Sequence, residues 1–181
     1  MFWPLQSRHG AAHGGFLRVP AGRAAETPAG SSARELPAIR MPDHAVLDTV
    51  FTPEAKQDAG ATVFSNDDGA PNEHAGFQFQ HIGDDRYNRY RLAVGLRGQW
   101  AFSKELLLPH NLPVALSVEF KENAITILYD GVKCVEMQLA GRMTDSAAPI
   151  TIGSWIDRQR LFAGTVRVFE IRDLGPRDGM K

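Results

Sequence analysis

The sequence predicts an all-β protein, a two-sheet antiparallel β-sandwich, and three observations carry that reading. From residue 41 onward, short apolar or alternating runs recur every 8–15 residues, each closed by Gly, Asn, Asp or Pro. Several of these runs alternate apolar with polar, the period of a strand with one buried and one outward face. No stretch of ten or more residues carries a 3.6-residue apolar stripe with caps at both ends. Ten or more short strands with almost no helix leave a sandwich or barrel, and two antiparallel sheets suit the alternation.

Taken in order, GFLRVPAG (Gly15–Gly22) places Phe16 and Val19 between turn formers and reads as a short edge strand. HAVLDTVF (His44–Phe51) is β-rich and stops at Pro53. PEAKQDAG (Pro53–Gly60) is the nearest approach to a helical turn. ATVFS (Ala61–Ser65) runs into the turn-rich SNDDGAPN. GFQFQHI (Gly76–Ile82) sets Phe77 and Phe79 against Gln78 and Gln80, a half-buried strand. RYNRYRLAV (Arg86–Val94), QWAFS (Gln99–Ser103) and VALSVEF (Val114–Phe120) follow. Asp130-Gly131 accepts the positive φ of a type I′ turn, so AITILYD (Ala124–Asp130) and VKCVEMQL (Val132–Leu139) form a tight hairpin. PITIGSW (Pro149–Trp155) and GTVRVFEIRDL (Gly164–Leu174) close the series.

The chain has 181 residues, enough for one domain with a sizeable core. Its formal net charge of −1 excludes the basic surplus of a general nucleic-acid binder. No apolar run reaches the roughly 18–20 residues of a membrane-spanning helix. Cys134 is the only cysteine, so there is no internal disulfide, and its alternating position reads as a small half-buried side chain. Residues 1–40 are rich in Ala, Gly and Pro and carry five Arg against two Glu. The division expected is a tail at 1–13, one sandwich over 14–174 with a long loop at about 21–37, and a tail at 175–181. No secretory signal with an apolar core of about 7–15 residues is visible at the N-terminus, which leaves the compartment open.

At the hairpin the sequence meets a family. VALSVEFKENAITILYDGVKCVEMQL, then APITIGSW, then RLFAGTVRVFEIRDL resembles the C-terminal half of a laminin-G-like, concanavalin A-like jelly-roll domain. There a strand leads through a polar turn to one ending in "y-v-D-G", then to "l-x-i-G", then to a last strand opened by "f-x-G". The corresponding elements are Val114–Phe120, Ile125–Gly131, Ile150–Gly153 and Phe162–Val168. HAVLDTVFTP and ATVFSN are similar to the family's early strands, and the likeness spans about residues 14–174. Leu112-Pro113 stands where the family has an aromatic pair. The resemblance implies a non-catalytic, lectin-like binding module, an extracellular or surface location, and calcium held at a sandwich rim.

For such a module, the candidate ligand-binding residues are Arg89, Arg91, Trp100, Trp155 and Arg158. Arg86, Tyr87, Arg89, Tyr90, Arg91, Arg97 and Trp100 crowd into fifteen residues. Alternation puts Tyr90, Leu92 and Val94 on one face and Arg89, Arg91 and Ala93 on the other. Flat aromatic rings and fork-shaped Arg donors suit sugar rings, acidic glycans or a protein surface. A buried Tyr and Trp beside a solvated Arg face would give the same pattern. Trp155, with Ile156, Asp157, Arg158 and Arg160, lies in the loop after the "IG" strand. For calcium, which takes six to eight oxygens, the candidates are Asp67, Asp68, Asn72 and Asp84, with Asn66 and Asp85 nearby. The same residues also form ordinary Asx turns.

The enzymatic version of the fold resembles retaining glucanases, marked by E-x-D-x-x-E, and that motif is absent. Glu119 and Glu122 flank a turn, and Glu170 and Asp173 are three apart on a strand. The functional expectation is therefore a binding module for carbohydrate or for a glycosylated or acidic partner. The alternatives are a protein–protein interaction domain of a larger surface or phage-type assembly, and an unusual hydrolase.

Overall fold

A computed structural model describes residues 16–18, 33–70, 74–83 and 88–175. Two antiparallel sheets face each other, as the alternation predicts. One holds β1 (Phe16–Arg18), β13 (Gly164–Asp173), β3 (His44–Pro53), β9 (Val114–Lys121), β10 (Ala124–Tyr129) and β11 (Val132–Gln138), in that spatial order. The other holds β2 (Arg34–Leu36), β12 (Ile150–Ile152), β4 (Thr62–Ser65), β5 (Phe77–His81), β6 (Arg89–Leu96) and β7 (Gln99–Phe102), and the short β8 (Leu106–Leu107) also pairs with β6.

Inner faces meet through aromatic rings. β3 alternates without interruption, sending Ala45, Leu47, Thr49 and Phe51 inward. Phe51 meets Phe79 and Tyr90 from the opposite sheet edge-on, each at 6.1 Å between centroids. Phe64 packs on Phe169 at 5.6 Å and Phe77 on Phe120 at 5.5 Å, so rings from both sheets interdigitate along the core. Offset and edge-on ring pairs of this kind add about 0.5–1.5 kcal/mol beyond the apolar area they bury.

The edge strand expected at Phe16 is present and pairs with β13. Within the expected loop at about 21–37, Arg34–Leu36 form β2 against β12, a strand too short to show a period. Pro53–Gly60 is not helical. It is held instead by the Gln57 side chain, which donates to Glu54 O and Ala163 O and accepts from Ala163 N. A three-residue 3₁₀ turn, Ile156–Arg158, has no counterpart among the elements expected from the sequence. The expected tails at 1–13 and 175–181 lie outside the described residues, apart from Gly175. Among the described residues no helix is long and apolar enough to cross a membrane.

Cys134 corrects a sequence expectation. It is exposed rather than half-buried. The β10–β11 register shifts so that Ile127 pairs with Val135 and Leu128 with Lys133, which leaves Cys134 as the extra residue of a bulge. The bulge breaks the alternation from which burial was read.

Candidate functional site

The outer face of the second sheet carries the site. Because β5 and β6 send Phe77, Phe79, Tyr90, Leu92 and Val94 inward, Gln78, Gln80, Arg91 and Ala93 point outward. Pairing places Gln80 opposite Arg91 and Gln78 opposite Ala93, and then Ala93 opposite Phe102 of β7. An outward side chain on an uncovered sheet is normally wet, yet Gln78 is 4% exposed and Gln80 8%. Walls on both sides account for this, and they enclose a cleft of about 240 Å³.

One wall is Trp100 and Phe102 of β7 with His74. It depends on Gly95, which pairs with Trp100 and lies beneath the chain at His74–Ala75. A Cβ at Gly95 would stand 2.1 Å from the His74 carbonyl oxygen, so only glycine admits the crossing. The crossing seats the His74 ring against Trp100, 5.5 Å between centroids.

The opposite wall is the segment after β12. Gly153 N donates to Val63 O and Thr62 N to Arg160 O, so residues 153–160 run beside β4. Arg158 and Arg160 both adopt positive φ, 57° and 48°. That reversal swings Arg160 onto Trp155, its guanidinium carbon 4.2 Å from the ring centroid. Trp155 Nε1 donates to Asp67 Oδ2 at 2.9 Å, and the other Asp67 oxygen accepts from Gly69 N at 3.0 Å. Gly69 backs the indole: a Cβ at that position would lie 3.5 Å from Trp155 Cζ2.

Several sequence candidates converge here and others do not. Arg91, Trp100 and Trp155 line the cleft together. Arg89 does not; two residues along β6, it forms an ion pair with Glu105 at 3.3 Å. Arg158 also lies apart, lining a smaller hollow with Ala33, Glu35 and Ser154. Arg160 occupies the place foreseen for it, because the 3₁₀ turn reverses the chain between the two. Tyr90 is a core residue with its hydroxyl buried and unpartnered. Arg86, Tyr87, Asn72, Asp84 and Asp85 lie outside the described residues. His74 and Phe102 are not among the sequence candidates, and Arg160 is among them only as a member of the Trp155 loop. Phe102 was within reach, since it shares a strand face with Trp100 at i, i+2.

The two tryptophans are also less open than platforms. Trp155 has Arg160 on its face, and Trp100 has His74 beside it. Phe102 is the most exposed ring of the cleft, at 46%, with Arg91 over it at 4.0 Å. Arg91 Nε is buried and without a hydrogen-bond partner, which costs about 1–3 kcal/mol until an acceptor arrives.

The described part of the calcium cluster is engaged elsewhere. Asn66 Oδ1 accepts from Phe77 N at 2.7 Å, Asp68 Oδ1 from Ala70 N at 3.0 Å, and both Asp67 oxygens are taken as above. These are turn-forming bonds, and Asn72 and Asp84 of the expected cluster lie outside the described residues. Among the described residues no three His, Cys, Asp or Glu side chains gather as a metal site.

Sheet order and packing define the class: a laminin-G-like, concanavalin A-like jelly-roll sandwich. No family model matches the chain and no curated protein matches it in sequence. Solved structures do match in fold. Domain 4 of AbnA, a GH43 extracellular arabinanase from Geobacillus stearothermophilus solved with arabinotriose, is 16% identical with TM-score 0.56, covering 77% of this chain and 65% of that one. Domains LG4-5 of the mouse laminin α1 chain are 12% identical with TM-score 0.59, covering 78% and 38%. The CBM40 of a Ruminococcus gnavus sialidase, bound to α2,3-sialyllactose, is 8% identical with TM-score 0.58, covering 78% and 80%. This chain thus spans about two thirds or less of the first two.

Proposed function

We propose that the chain is a non-catalytic carbohydrate-binding module and that the cleft across β4–β7 is its site. The observation that carries the proposal is a floor of outward yet enclosed glutamines, Gln78 and Gln80, set between aromatic walls. Sugars present apolar ring faces and a rim of hydroxyls. A cleft with rings at its sides and amide donors and acceptors on its floor complements both. At about 240 Å³ it is smaller than the roughly 300–1,000 Å³ of enclosed small-molecule pockets, which suits gripping one or two units of a longer glycan.

The non-catalytic reading has its own support. Glycoside hydrolysis by the usual route needs two carboxyl groups, roughly 5–5.5 Å or 6.5–9.5 Å apart. Asp67 is the single carboxylate among the described residues lining the cleft, and both its oxygens hold the wall together. Fold neighbours solved with arabinotriose or sialyllactose add weight to the sugar reading. A glycan array spanning neutral and acidic oligosaccharides tests it. Binding to a related subset is expected, and silence across the array would overturn the proposal.

A further inference from the structure

The cleft holds its cations against rings instead of carboxylates. Arg91 lies over Phe102 and Arg160 over Trp155, at 4.0 and 4.2 Å from the ring centroids. Neither has an acidic partner among the described residues, whereas Arg40, Arg142, Arg172, Arg89 and Lys133 each meet one. A guanidinium held over a ring face keeps terminal N–H donors that can match a carboxylate or sulfate. The one acid among the described residues of the cleft, Asp67, accepts a hydrogen bond on each oxygen, from Gly69 N and Trp155 Nε1. Among the described lining residues two guanidiniums therefore stand against one carboxylate inside a partly enclosed space, and the buried Nε of Arg91 lacks an acceptor.

Building on the sugar-binding reading above, we infer that the ligand is an oligosaccharide bearing an anionic substituent, carboxylate or sulfate. The fork of Arg91 receives that anion on the floor beside Gln80, and Arg160 adds its charge from the wall. The glutamines and Phe102 hold the uncharged part of the sugar. No covalent step is involved. The chain's overall charge of −1 conceals this local excess of positive charge, Arg91 and Arg160 against Asp67 among the described lining residues.

Matched sugars test the inference by isothermal titration calorimetry. The pairs are a hexuronate oligomer and its carboxyl-reduced form, sialyllactose and lactose, and a sulfated disaccharide and its desulfated form. They also separate carboxylate from sulfate as the source of the anion. At least one acidic member should bind about tenfold or more tighter than its neutral counterpart, the scale of one charge-assisted hydrogen bond. That preference should shrink as salt rises, which needs no variant to read. Arg91→Gln should bring the acidic sugar down to the affinity of the neutral one, Arg91→Lys should restore part of the difference, and Arg172→Gln on the opposite face should change nothing. Equal binding of acidic and neutral members, indifferent to Arg91→Gln, would overturn the inference and leave the carbohydrate reading standing. Silence from every sugar on calorimetry and array would remove both. Arg91-dependent binding of polyglutamate, with none of the acidic sugars bound, would assign the cleft to an acidic peptide and overturn the inference as well.

Discussion

The two outer faces of the sandwich are built from the same kinds of residue and use them differently. On the six-stranded sheet, charges meet opposite charges. His44 pairs with Glu119 at 2.8 Å, Arg172 and the Ser117 hydroxyl both reach Asp48, and Lys133 meets Glu136 at 2.7 Å. On the other sheet, the cations of the cleft lie on rings and the floor is glutamine. On the first face these charges are met by its own side chains. The second is walled and leaves donors open, which is the condition of a surface waiting for something else to bind.

Four changes probe that contrast, and Gly95→Val should have the largest effect. The added side chain would collide with the backbone at His74–Ala75, which cannot rotate aside as a side-chain tip can. Overpacking of this kind costs about 1–3 kcal/mol, occasionally more. The cleft wall carrying His74 would be displaced, so thermal unfolding should shift markedly downward and sugar binding should disappear. A variant with full binding would show that this wall is no part of the site.

Asp67→Ala ranks next. It removes the acceptor of Trp155 Nε1 and of Gly69 N together. Hydrogen bonds to a charged group contribute about 1.5–3 kcal/mol, so chemical denaturation should register a loss of that order. Binding should weaken as well, because Trp155 and Arg160 lose their anchor. If stability falls and binding persists, Trp155 is a structural pillar only.

How much of this contrast could be read from the sequence depends on the distance over which each signal acts. Strands such as His44–Pro53 are legible because alternation is local and a buried face forces it. The outward placement of Arg91, and of Gln78 and Gln80, followed from the same rule. What joins them into a cleft is cross-strand register, and that is set by partners far along the chain, as Gly95 beneath His74–Ala75 illustrates. That Arg160 and not Arg158 lies over Trp155 was hidden for a different reason. Two closely spaced reversals at positive φ decide which guanidinium reaches Trp155, and arginine is not a residue whose presence announces such a backbone. At Cys134 a single bulge defeated the alternation rule, with no glycine or proline to mark it.

Tyr90→Phe carries the contrast into the core beneath the cleft, and its sign is opposite. The ring stacks on Phe79 at 5.6 Å, and the buried hydroxyl has no partner. Removing it deletes an unsatisfied polar group and keeps the packing, so stability should rise by about 1 kcal/mol with sugar binding unchanged. Burial also pushes the Tyr90 phenol well above its usual 10.0. The folded state thus keeps a proton that the unfolded state releases near that value. The wild type should lose stability as pH rises past about 10, and Tyr90→Phe should lose less. An ultraviolet titration in which Tyr90 ionises before the fold is lost would contradict its place in the core.

Glu119→Gln should have the smallest effect, and it is the sharpest control. Glu119 sits on the six-stranded face, with His44 as its partner, and their side chains are 35% and 15% exposed. A partly solvated pair of this kind contributes about 0–1 kcal/mol, because water competes for both members and screening reduces their attraction. The glutamine keeps an acceptor for the histidine ring, so the packing of β3 against β9 has no reason to change. Thermal denaturation should move little, and sugar binding should equal that of the wild type, since the sandwich core lies between this residue and the cleft. A clear loss of binding in Glu119→Gln would put a ligand on the six-stranded face and reverse the assignment of the two faces.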